Sequence, residues 1–119
     1  MCDQMIVMNQ KNSNAHSLRG EILFQIDNYE EAEKSHTRAI ALKPDYAEAH
    51  NNLGNTLLEL GRLQDAEASY TKAITLKPDY AVAHNNLGNL LKEQGKLDKA
   101  EASYTQAIIL SPDYAEAHY

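Results

Sequence analysis

The sequence predicts an all-α solenoid of antiparallel helix pairs, and three observations carry that prediction. The stretch Asp45 to Pro78 returns as Asp79 to Pro112, with 24 of 34 positions identical. A more diverged copy, Lys11 to Pro44, shares 13 of 34 residues with the first of these. Within each copy, apolar residues recur at spacings of three and four in two blocks, separated by a turn signal and closed by a proline. Self-similarity at this period means stacked copies of one supersecondary unit, each burying its neighbour's apolar face.

Taken in order, residues 2–9 fall in register with the end of a second helix, because counting 34 back from Ile40 and Leu42 lands on Ile6 and Met8. The spacing thus divides the chain into the end of a preceding repeat (1–12), three repeats (13–46, 47–80, 81–114) and the start of a truncated repeat (115–119). This layout suggests a segment of a longer array. In the middle unit, Asp45 precedes Glu48 by three, a capping-box arrangement that predicts a first helix from about Tyr46 to Leu60. Gly61 supplies a left-handed stop. Leu63, Ala66, Tyr70, Ala73 and Ile74 then define a second helix, ended by Lys77-Pro78 because the residue before proline avoids the α region. The third unit repeats this with Gly95 and Pro112, although Val82 replaces the capping glutamate. In the first unit Asp27-Asn28 stands where the others have Gly-Arg or Gly-Lys, and asparagine tolerates the left-handed conformation. Gly54 and Gly88 fall mid-helix, and Ala66 and Ala100 are expected to face them from the second helices, letting each pair approach closely.

Composition narrows the function. The formal charge of −6 argues against nucleic acid or an anionic membrane surface as the main partner. The single cysteine, Cys2, excludes an internal disulfide. No apolar run approaches the roughly 18 residues of a spanning helix, and MCDQMIVMNQ lacks the features of a signal peptide, so cytoplasm is the default expectation.

The unit is similar to the tetratricopeptide repeat (TPR), whose pattern W-x2-L-G-x2-Y…A-x3-F…P is met by His50, Leu53, Gly54, Leu57, Ala66, Tyr70 and Pro78. It is met again by His84, Leu87, Gly88, Leu91, Ala100, Tyr104 and Pro112, and more loosely by His16, Arg19, Gly20, Leu23, Ala32, His36 and Pro44. Arg19 and His36 depart from the apolar choices, so this first unit is expected to pack less well. The resemblance implies a right-handed TPR solenoid whose first helices line the concave surface.

On a helical wheel, Glu48, Asn51, Asn52, Asn55 and Glu59 fall opposite the apolar side of the middle first helix, and Val82, Asn85, Asn86, Asn89 and Glu93 do so in the third unit. An amide offers both donor and acceptor, so it can pair with the backbone of an extended peptide whatever that peptide's side chains. These residues are therefore the candidate peptide-binding set, with Asn52 and Asn86 as two rungs of a ladder. The Asn-Leu-Gly triplets at 52–54 and 86–88 resemble the superhelical repeats of O-GlcNAc transferase, in which an asparagine at this place contacts substrate backbone. Leu18 breaks the pattern in the first unit. The competing reading is that the amides brace neighbouring helices. The family's carboxylate clamp for chaperone tails needs cationic donors, and the concave positions here offer Asn, Glu, Val and Ser, which disfavours it.

His16, His50, His84 and His118 recur every 34 residues. Packed helices stand about 8–10 Å apart, so one histidine per layer does not assemble a metal site; these rings are expected to fill half-buried places. Cys2 falls in register with Tyr70 and reads as structural. Nothing resembles a nucleophile elbow, a phosphate loop or a carboxylate pair in a cleft. The expected function is a non-catalytic scaffold that binds a protein or peptide on its concave face and needs no cofactor. The alternatives are self-association through open solenoid ends, by end-to-end stacking or helix exchange, and a substrate-recruiting arm of a larger enzyme such as a glycosyltransferase. Leu97, Ala100, Tyr104 and Ile108 are expected to be partly uncovered at one end.

Overall fold

A computed structural model describes residues 2–111, with side chains from residue 11 onward. Six helices make up three antiparallel pairs: α1 (Cys2–Gln25) with α2 (Tyr29–Leu42), α3 (Ala47–Glu59) with α4 (Leu63–Leu76), and α5 (Ala81–Glu93) with α6 (Leu97–Leu110). Each helix packs on the next in sequence. The first helices α1, α3 and α5 also touch one another in turn, whereas the second helices make no comparable contact. The first helices therefore lie on the tighter side of the stack.

Each pair turns on one left-handed residue. Gly61 has φ +79° and Gly95 φ +78°. In the middle unit, Arg62 N–H donates to Leu57 C=O at 2.9 Å and Gly61 N–H to Leu58 C=O at 3.0 Å, the Schellman pattern that satisfies the last carbonyls of α3. The first unit makes the same two bonds, but the left-handed residue is Asp27 (φ 64°) and not its asparagine neighbour.

The second helices stop before Lys-Pro as expected, with Lys43 and Lys77 as C-caps. The start of α3 differs from expectation. Asp45 sits in a turn closed by Tyr46 N–H to Lys43 C=O at 3.1 Å, and Tyr46, not Asp45, precedes the helix without a side-chain cap. Proline sets this geometry, because its fixed φ favours the turn and leaves Asp45 inside it. The loop is instead pinned by the ring of His50, whose Nε2–H donates to Pro44 C=O at 3.0 Å; His84 does the same to Pro78. Residues 2–9 do not end in a turn either: α1 runs unbroken from Cys2 to Gln25. Gln10, Lys11 and Asn12 occupy the places of Pro-Asp-Tyr, so nothing there interrupts the helix. The expected start of a fourth unit lies outside the described residues.

The mid-helix glycines face rings. A β-carbon on Gly54 would lie 2.6 Å from Tyr70 Cε1, one on Gly88 2.8 Å from Tyr104 Cε1, and one on Gly20 2.6 Å from His36 Cε1. The nearest group to each glycine is thus the ring four residues beyond the expected alanine on the second helix. Ala66 is fully buried in the core cluster formed with Leu57, Tyr70 and Leu90, which joins the second unit to the third. Burying each of those larger side chains contributes about 1.5–3 kcal/mol. Arg62 adds a bridge across the first two units, 2.7 Å from Glu33, as Lys96 does at 3.8 Å from Glu67. Exposed pairs of this kind contribute roughly 0.2–1 kcal/mol. At the far end Leu97 is 64 % exposed and Tyr104 and Ile108 are half-buried, but Ala100 is buried at 3 %. Alanine is short enough to be covered by its own pair.

Candidate functional site

The amide rows of α3 and α5 separate into three environments. Asn52 and Asn86 occupy the same register one unit apart and are half-buried. Each reaches back to the preceding first helix: Asn52 Nδ2 donates to Glu21 Oε1 at 3.1 Å, and Asn86 Nδ2 to Asn51 Oδ1 at 3.0 Å. Bracing uses one N–H of each amide. The other N–H and the carbonyl oxygen remain for a further partner.

Asn55 and Asn89 take a second role. Tyr70 Oη–H donates to Asn55 Oδ1 at 2.5 Å, and Tyr104 Oη–H to Asn89 Oδ1 at 2.5 Å. Burial first, then the nearby Glu59 and Glu93 carboxylates, push the Tyr70 hydroxyl above its usual pKa, so it stays a donor. Asn51 and Asn85 are corrections to the helical-wheel reading. They are 3 % and 1 % exposed, inside the stack, with no surface to offer a guest. The wheel misplaces them because the next unit covers this side of the helix, and a wheel drawn for one helix omits its neighbours. Glu48, Glu59 and Glu93 are exposed. Glu59 and Glu93 lie near the Tyr70 hydroxyl, whereas Glu48 lies in the first turn of α3, eleven residues or roughly 16 Å up the helix from Glu59.

The sequence did not point to a cavity of about 150 Å3 where α1, α2 and α3 meet. It is lined by Glu21, Phe24, Gln25, His36, Asn52 and Asn55. His36 occupies the register of Tyr70 and Tyr104 but has a shorter ring and no hydroxyl. The ring is 1 % exposed and its Nδ1 has no hydrogen-bond partner. Burial lowers its pKa to about 4, so the imidazole is neutral at ordinary pH. The departure at His36 is visible in the sequence as a poorer core residue; its consequence, a hole beside Asn52, needs the neighbouring helix. Hollows of about 700 and 830 Å3 along α4 and α2 are larger, but they are shallow and carry mixed charges such as Glu67 with Lys72 and Glu33 with Arg38.

Among the described residues, no three His, Cys, Asp or Glu side chains converge as a metal site. Within the same residues no helix is long and apolar enough to cross a membrane.

Family models described as "TPR repeat" match residues 20–61 and 54–95, and one described as "Tetratricopeptide repeat" matches residues 81–114. No curated protein sequence matches the chain. Among solved structures, the Arabidopsis OM64 TPR domain is similar at 25 % identity and TM-score 0.88, over 92 % of this chain and 91 % of that one. The second TPR domain of human RPAP3, solved in complex with the HSP70 peptide SGPTIEEVD, is similar at 26 % identity and TM-score 0.83, over 95 % and 92 %. The second TPR of Spaghetti (RPAP3), bound to the HSP90 peptide SRMEEVD, is similar at 27 % identity and TM-score 0.83, over 87 % and 96 %. With the 34-residue unit, its glycine–ring contacts and its Schellman turns, these matches make the chain a member of the tetratricopeptide-repeat family, folded as an all-α solenoid.

Proposed function

We propose that the chain is a protein-interaction module that holds an extended peptide on the side formed by α1, α3 and α5. The observation that carries this reading is the pair Asn52 and Asn86, which occupy the same register one unit apart and are each tied to the preceding first helix, Asn52 through Glu21 and Asn86 through Asn51. Each retains a carbonyl oxygen and one N–H for a peptide backbone. Asn55, Asn89, Glu59 and Glu93 flank the rungs. Two structurally similar TPR domains were solved with heat-shock peptides, which supports a peptide as the guest. Those peptides end in acidic residues, whereas this face carries Glu21, Glu59 and Glu93, so an acidic tail is a poor fit here. Replacing Asn52 and Asn86 together by alanine tests the ladder. Titration of a capped, neutral Ala-Ser nonapeptide should weaken about tenfold or more; unchanged affinity with retained helicity overturns it.

A second reading, self-association, has its own observation. Leu18 and Ile22 on α1 and Ile26 directly after it form a row that is 59 %, 61 % and 66 % exposed. One unit later the register of Ile22 is occupied by Thr56, and two units later by Leu90, both fully buried. A second copy could cover the row as one unit covers the next. Light scattering across a wide concentration range decides this: a strict monomer at high concentration excludes it.

A further inference from the structure

We propose that the cavity between α1, α2 and α3 is a specificity pocket for a cationic side chain, lysine or arginine, of the extended guest. The inference rests on the peptide-binding reading, because Asn52 is both a rung and a wall of the cavity.

The pocket comes from one substitution in the repeat. In the second and third units the ring of Tyr70 or Tyr104 fills this place and gives its hydroxyl proton to Asn55 or Asn89. In the first unit the corresponding residues are His36 and Glu21. The imidazole ends short, and Glu21 receives one hydrogen bond, from Asn52. A carboxylate has about four lone-pair sites, so Glu21 keeps most of its accepting capacity. The donor that a tyrosine hydroxyl supplies elsewhere is missing here.

What lines the cavity selects the donor. Glu21 is the one charged group among the six lining residues, and none of the six is a lysine or arginine. Gln25 and Asn52 add neutral acceptor oxygens. Burial keeps His36 uncharged, so it does not repel a cation. Phe24 provides an aromatic surface for the aliphatic stem or the cationic head. An engineered cavity of about 150 Å3 holds benzene, so a cavity of this volume accepts one side chain of about that bulk. Glu21 is exposed and stays hydrated beside an aliphatic side chain, which gains nothing from the carboxylate, while an acidic guest side chain would be repelled by it.

The test uses the full chain and three capped Ala-Ser nonapeptides that differ at the central residue, which is arginine, norleucine or glutamate. The arginine peptide should bind roughly two- to fivefold tighter than the norleucine peptide, the range of a solvent-exposed charge pair. Glu21→Gln, whose amide oxygen can still accept from Asn52, should bring the arginine-to-norleucine affinity ratio to about one, whatever it does to the affinity common to both peptides. His36→Tyr, which installs the ring the other units already fold around, should remove the arginine preference by filling the pocket. Equal affinity for arginine and norleucine, or a preference that survives both substitutions, overturns the proposal. Should none of the three peptides bind, the peptide-binding reading fails separately. N-acetyl-arginine amide alone then judges the pocket: a change in the His36 ring signals on titration supports it, and no change at saturation overturns it.

Discussion

Gly54 lies against the ring of Tyr70, so closely that an added β-carbon would come within 2.6 Å of Cε1 and 2.7 Å of Cδ1. The ring cannot yield, because Tyr70 is fully buried and its hydroxyl is fixed by Asn55. Overpacking of this kind costs about 1–3 kcal/mol, against a helix-propensity gain of about 1 kcal/mol for glycine to alanine. Gly54→Ala should therefore lower stability in urea denaturation by up to about 2 kcal/mol. Gly88→Ala should cost less, because Tyr104 is only half-buried and can move aside. Equal losses would show that the packing on Tyr70 is not what makes the glycine necessary.

The turn between α1 and α2 contains a strained residue. Asp27 adopts φ 64°, in the region that costs an L-residue with a β-carbon about 1–2 kcal/mol. Asp27→Gly should stabilise the chain by roughly 0.5–1 kcal/mol, even though it removes an exposed hydrogen bond from Tyr29 Oη. Gly61→Ala, at φ +79°, should do the reverse by about 1 kcal/mol. Thermal unfolding of the two single variants checks both signs.

His36 links stability to pH. Unfolded, it takes up a proton near the ordinary value of 6.5; folded, burial holds its pKa at about 4. Above pH 6.5 both states are neutral at this residue and its contribution is flat. Below that, the unfolded chain binds a proton that the folded chain refuses, so stability falls as the pH drops and levels off below about 4. The full loss is on the order of 3 kcal/mol. In His36→Tyr this acid-side slope should shrink. A wild-type stability curve flat between pH 6.5 and 4 would contradict the buried neutral imidazole.

The exposed row on α1 makes a separate prediction. Ile22→Gln should leave the unfolding midpoint within about 0.5 kcal/mol of wild type, as for other surface changes, while reducing any concentration-dependent increase in particle mass. A large loss of stability would mean that Ile22 is covered within the monomer, contrary to its 61 % exposure.

The repeat was legible in the sequence because its signals are local and repeated. Gly61, Gly95 and Lys77-Pro78 each set one backbone conformation, and the structure places the helix ends there. What the sequence misplaced depends on the neighbouring unit. Asn51 and Asn85 look solvent-facing on one helix but are enclosed in the stack. Gly54 suggests close approach to a small residue such as Ala66, but its nearest neighbour is the flat ring of Tyr70, for which a glycine equally makes room. The capping box at Asp45 failed because the preceding proline draws that aspartate into a turn. The continuity of α1 followed from an absence, the missing proline at Gln10, which a search for shared positions overlooks. The cavity by His36 required knowing that His36 and Glu21 stand where Tyr70 and Asn55 pair one unit later, a relationship across two helices that no single-helix reading supplies.

The central claim is that Asn52 and Asn86 meet a guest backbone on one side of the stack. Their side-chain NH2 resonances, followed while the neutral Ala-Ser nonapeptide is added, test it most directly. Both should shift together and saturate at one affinity, while the buried Asn51 and Asn85 signals move less and outer positions such as Thr71 and Thr75 stay still. Saturable binding that leaves Asn52 and Asn86 unmoved and perturbs the outer helices instead would contradict the account.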